Sequence, residues 1–148
     1  MAMDTSRQEI ASMPAPPQDS AWPPSGFARG GVRAVLRLEA LAVLAAAVAA
    51  FAALHANWWL FAALFLAPDI SFLAYLANPR VGAVAYNSVH SYCAPILLGM
   101  LGCFVPAHSL LPIALIWAAH IGFDRAIGYG LKYGSGFGDT HLGGKLRR

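Results

Sequence analysis

Four long apolar runs joined by connectors of three or four residues constrain this chain more than any other feature. The runs cover residues 35–54, 58–76, 81–105 and 110–129, and the connectors read HAN, ANPR and PAHS. Each run is near the roughly 20 residues a helix needs to cross a 30 Å hydrocarbon core. Connectors this short force sequential neighbours into antiparallel hairpins, because every backbone polar group in lipid must be satisfied within a helix. The expected fold is all-α: an integral membrane, up-down four-helix bundle. Composition agrees, with 58% hydrophobic and only 11% charged residues, against about 25% charged in an average soluble domain.

The flanks differ in kind. Residues 1–32 are rich in Pro, Ser, Gln and Gly and poor in large apolar side chains, so a disordered tail is expected there. The transmembrane domain then covers 33–131, and 132–148 form a Gly-rich, basic cytoplasmic tail. Met3 and Met13 leave later start sites open. Arg29, Arg33 and Arg37 ahead of an Ala-rich run resemble a signal peptide, but the run exceeds the roughly 7–15 residues of a signal core, which favours an uncleaved helix.

The net charge is a modest +3, and the basic residues cluster outside the apolar runs. They read as topology signals and not as a nucleic-acid footprint, so no nucleic-acid partner is expected. The connectors HAN and PAHS carry no Lys or Arg, whereas Arg80 lies in ANPR. The positive-inside rule then places both termini and Arg80 on the cytoplasmic side of a bacterial inner membrane. Cys93 and Cys103 lie ten residues apart in one expected helix, about 15 Å along its axis, too far to bridge.

Against this apolar background the ionisable residues share a depth. Asp69 lies eleven residues before Arg80 and His90 ten after it, so both sit about 15–16 Å from the cytoplasmic end of an antiparallel pair. His120, eleven residues before Leu131, reaches a similar level. Asp124 is one turn nearer the cytoplasm on the same helix face. Glu39 approaches from the first run to about 9 Å. A charged side chain at the centre of a bilayer costs roughly 2.5–3.5 kcal/mol on insertion scales. Convergence inside the bundle therefore costs less than dispersal over lipid-facing surfaces. Tyr86, Asn87 and His90 share a face of the third run, beside the small residues Gly82 and Ala83. Pro68 removes a backbone donor next to Asp69 and is expected to kink the second run. Arg125 either snorkels to the interface or pairs with an acid.

The segments APDISFLAYLANPRVGAVAYNSVH, AHIGFDRAIGYGLKY and GFGDTHLG resemble a family of small bacterial membrane proteins known as domain of unknown function 4260, over roughly residues 33 to 144. The resemblance implies a four-helix membrane protein and brings no activity, cofactor or catalytic residue with it. A second similarity is to membrane-bound metal-dependent hydrolases, which show a Pro-Asp element, a histidine segment and a later His-x-x-x-Asp. Here Pro68-Asp69, His90 and His120-x-x-x-Asp124 follow in that order. Ser71 and Ser91 stand near where that group carries a second aspartate and a second histidine.

Asp69, His90, His120 and Asp124 form a candidate two-His, two-carboxylate set for Zn or Mn. Such a site could hydrolyse a phosphoester or other lipid-derived substrate arriving from the inner leaflet. Glu39 is then the candidate general base. Asn87, Asp139 and His141 are additional candidates, the last two if GSGFGDTHLGG folds back as a lid. An Asx-type turn with an exposed His141 fits the same segment. Three other readings stay open: a hydrogen-bonded network that locks the bundle, a proton or cation relay completed by homo-oligomerisation, and a non-catalytic assembly subunit.

Overall fold

The computed structural model describes residues 26–104 and 110–143. The expected disordered tail up to residue 25, the PAHS connector and the last basic residues lie outside them. The described helices are α1 (Gly30–Ala53), α2 (Trp58–Leu64), a 3-10 helix (Ala67–Leu76), α3 (Pro79–Val89), α4 (Cys93–Phe104) and α5 (Leu110–Ile127), with no strand among the described residues. Gly30–Ala53, Trp58–Leu76 and Leu110–Ile127 are each long and apolar enough to cross a membrane. The exterior exposes Leu38, Leu41, Ile70, Leu73, Val84 and Leu97, while His90, His120 and Asp124 are buried. That inversion of a soluble protein's polarity identifies a helical membrane protein.

The helix starts follow local chemistry. Asn57 and Asn78, from the HAN and ANPR connectors, are N-caps whose side chains accept from Trp59 N and Val81 N at 2.8 and 2.9 Å. Pro79 then occupies the first helical position of α3, where its missing N–H costs nothing.

α5 is the central element, packed against α1 on one side and α4 on the other. Alanine, the best helix former, keeps α1 regular; its buried residues Ala40, Ala47 and Phe51 form one stripe. A Cβ added to Gly122 of α5 would lie 2.9 Å from both Ala40 O and Leu44 N. The two backbones therefore meet directly, as small residues permit between membrane helices.

The two middle spans are broken, and each break falls four residues before a proline. A proline ring clashes with the carbonyl of residue i−4 and removes one helical hydrogen bond. For Pro68 that residue is Leu64, where α2 ends; for Pro95 it is Ser91, in the gap between α3 and α4. The expected kink at Pro68 is in fact a change of helix type. The expected continuous helix over 81–105 is corrected to two helices separated at residues 90–92, and Pro95 is the sequence signal for that break.

The ten-residue 3-10 helix is long for a form usually limited to three or four residues, and its packing on α3 explains it. Three residues of a 3-10 helix rise about 6 Å, as do four residues of an α-helix. Every third residue on one therefore meets every fourth on the other. Tyr75 lies over Gly82, whose Cβ would meet its ring at 2.3–2.5 Å. Phe72 stacks on Tyr86 with centroids 5.1 Å apart. Asp69 reaches His90 at 3.5 Å. The backbone geometry delivers the carboxylate to the histidine in register.

Residues 131–142 fold back over the end of the bundle. Lys132 and Thr140 form an antiparallel bridge, and Leu131 and His141 exchange hydrogen bonds in which Leu131 N donates to His141 Nδ1 and His141 N to Leu131 O. Ala28 N donates to His141 O and Tyr133 Oη to Gly26 O, tying in the segment before α1.

Candidate metal centre

Three elements supply the polar cluster: Asp69 from the first turn of the 3-10 helix, His90 from the C-cap of α3, and His120 and Asp124 from one face of α5. One ligand atom of each lies within 4.8 Å of the other three. The two histidine Nε2 atoms are 3.1 Å apart. Asp69 Oδ1 is 3.5 Å from both Nε2 atoms, and Asp124 Oδ2 is 3.6 and 3.9 Å from those of His90 and His120. These His–carboxylate separations exceed ordinary hydrogen bonds of about 2.7–3.2 Å. They are close to the edge of a tetrahedron around an ion with bonds of about 2.0–2.1 Å, which is about 3.3–3.4 Å.

The protons on the imidazoles decide how this cluster can be satisfied. His90 Nδ1 lies 3.0 Å from Tyr86 O. A carbonyl only accepts, so Nδ1 carries the hydrogen and Nε2 of the neutral ring faces the cluster as a lone pair. With both rings neutral, the four ligand atoms share two donors, a hydrogen on His120 Nε2, 3.1 Å from His90 Nε2, and the Tyr86 hydroxyl on Asp124 Oδ2. His90 and His120 are 2% and 1% exposed, so solvent reaches the cluster only at Asp69, whose side chain is 33% exposed. A divalent cation would engage all four groups. His90 also fits such an ion in its outer contact, because a ligating histidine ordinarily donates its second N–H to a carbonyl or carboxylate, whereas His120 Nδ1 is buried without a hydrogen-bond partner among the described residues.

The break after α3 aims His90 inward, and α5 supplies donors for the carbonyls released there. Trp117 Nε1 donates to Val89 O at 2.6 Å and Arg125 Nη2 to His90 O at 3.3 Å. Arg125 also lies 4.5 Å above the Tyr92 ring, and forms no ion pair with an acid among the described residues. Ser91 Oγ accepts from Cys93 N and so serves the start of α4.

Glu39 is exposed on α1 and lies outside the group of four. Asn87 is engaged with the backbone of Lys132, donating to its O at 2.8 Å and accepting from its N at 2.7 Å. Asp139 accepts from Ser135 Oγ at 2.9 Å. His141 is half-buried, not exposed, and burial together with the Arg125 charge lowers its pKa. The glycine-rich segment does cover the bundle end, but it brings no ligand to the cluster.

Two participants had no role in the sequence reading. Tyr86 donates its hydroxyl to Asp124 Oδ2 at 3.0 Å and stacks on the His90 ring at 3.6 Å between centroids. Lys132, expected only as a topology charge, is 4% exposed. Its ammonium donates to Phe137 O at 2.9 Å and lies 3.9, 4.8 and 5.5 Å from the ring centroids of Phe137, Tyr86 and Phe72. Burial lowers its pKa, opposed by the charges of Asp124 and Asp69. No spacing rule marks this lysine, because its three rings come from three different segments.

Fold and cluster together define a helical membrane protein with a buried two-histidine, two-carboxylate centre. Residues 33–144 match the family described as a domain of unknown function, DUF4260, and the chain belongs to that family. No curated protein and no solved structure matches it.

Proposed function

We propose that this protein is a membrane-embedded, metal-dependent hydrolase in which Asp69, His90, His120 and Asp124 hold one Zn or Mn ion. The carrying observation is the set of four mutually facing acceptors from three elements, all within 4.8 Å. Separations near a tetrahedral edge and two imidazole donors favour Zn. A divalent ion in such a site polarises a carbonyl or phosphoryl oxygen and makes water nucleophilic near neutral pH. The side chain of Asp69 is 33% exposed while those of the other three are at most 12%, so substrate approaches on the Asp69 side. Hydrolysis would join the water oxygen to the acyl or phosphoryl centre as the bond to the departing oxygen breaks, and the Asp69 oxygen outside the cluster would carry the water's proton to that departing oxygen.

The reading extends to topology. Arg33, Arg80 and the 131–142 segment meet at one end of the bundle, where Gly128 and Gly143 pack on Arg33 and Gly134 on Arg80. This basic end supports a cytoplasmic location for both termini in the inner membrane. A transmembrane relay is less well supported. Beyond the cluster, α2, α4 and the part of α5 before His120 contain no Asp, Glu, Lys, Arg or His.

Metal analysis of the detergent-purified protein, loaded with Zn²⁺ or Mn²⁺ and then dialysed, tests the proposal. One equivalent is expected in the wild type and none in His90→Ala or His120→Ala, with all three proteins monodisperse. A wild-type protein that retains neither metal overturns it.

A further inference from the structure

A cleft of about 230 Å³ opens beside the cluster, lined by Ala67, Pro68, Val89, Ile113, Ile116 and Trp117 among others, with no charged side chain. Each element or break that donates a ligand also lines this cleft. Pro68 precedes Asp69, Val89 precedes His90, and Ile116 lies one turn before His120. We propose that the cleft holds the hydrocarbon chain of the substrate, which is therefore an amphiphile with an anionic head at the metal centre. This rests on the metal-centre reading and adds the substrate class.

Polarity along α5 supports the assignment. Ile116 and Trp117 lie in the cleft and His120 and Asp124 in the cluster, a progression of about 12 Å from Ile116 to Asp124. Beyond them come buried Lys132 and the basic end. An inner-leaflet lipid has the same order, with its chain toward the bilayer centre and its head toward the cytoplasm. The partly exposed Asp69 follows Pro68, so the centre is accessible next to the cleft. Charge sets the head group. The two carboxylates offset a divalent ion, leaving the Lys132 ammonium, one aromatic ring from Asp124, and the Arg125 guanidinium, bonded to His90 O, as surplus positive charge. The volume suits one chain of roughly eight carbons, taking about 30 Å³ for each as for a water.

A series of alkyl hydroxamates from acetohydroxamate to dodecanohydroxamate tests this on the Zn-loaded, detergent-solubilised protein, with binding measured by calorimetry. These probes present an anionic chelating head and a chain of chosen length. Affinity should rise about fourfold per methylene and level off near eight carbons. Ala67→Phe and Ile113→Trp, two independent ways of filling the cleft, should keep the Zn and acetohydroxamate binding but lose the gain with length. Lys132→Met should weaken every member by a common factor. A flat series, or a gain that persists in both filled variants as micelle partitioning would give, overturns the proposal while leaving the metal centre standing. Loss of Zn with no acetohydroxamate binding in the wild type overturns both.

Discussion

The α1–α5 pair and the pair formed by the 3-10 helix and α3 solve the same packing problem differently. α1 and α5 are unbroken, and they approach until Gly122 meets the backbone of Ala40 and Leu44. The other pair keeps aromatic rings between its backbones and ends at a break, with freed carbonyls bonded by Trp117 and Arg125. Unbroken helices can repeat one contact along their length, but they hold side chains at fixed angles. A broken span sacrifices backbone hydrogen bonds and turns a side chain such as His90 toward a site. The cluster takes two ligands from each kind of construction. α5 contributes His120 and Asp124 by simple helical spacing, whereas Asp69 and His90 depend on the breaks.

That contrast can be broken at several points. The largest effect on folding is expected from Gly122→Val, because its Cβ would strike backbone and not a movable side chain. Overpacking of this kind costs about 1–3 kcal/mol or more, and should appear as a large fall in thermal stability in detergent. Tyr86→Phe leaves both pairs intact but removes the donor to Asp124. Zn affinity should fall by about 10–100-fold, the usual effect of losing an outer partner of a ligand, with little change in melting. Trp117→Phe tests the broken pair by leaving Val89 O without its donor. A loss of about 1–3 kcal/mol is expected, with hydrogen exchange accelerated at residues 90–93 and unchanged in α1. Glu39→Gln should do almost nothing: Zn stoichiometry and hydroxamate binding stay at wild-type values, and stability changes by no more than about 0.5 kcal/mol. A fall in Zn or hydroxamate binding there would restore Glu39 to the site and erase the distinction drawn above.

Much of this was legible in the residues. Apolar run lengths and short connectors point to antiparallel membrane helices. Depth counting brings Asp69, His90, His120 and Asp124 to a common level. Glu39 shows where depth stops being informative. Its neighbour Ala40 faces α5, and one residue turns a helix by about 100°. α1 is apolar all round, so nothing in its pattern tells one face from another.

By itself the sequence determined where the apolar runs lie, their order along the chain and the level at which polar groups lie, since these depend only on run length, rise per residue and the cost of charge in lipid. Pro68 also marked one break, whereas the break before Pro95 runs against the continuous helix expected over 81–105. Only the tertiary structure decided which groups meet. The 3-10 and α-helical repeats matched near 6 Å per rung, the proton placed on His90 Nδ1, and the three rings around Lys132 all depend on segments that find each other across the bundle. No local pattern encodes an azimuth relative to a partner that is distant in the chain.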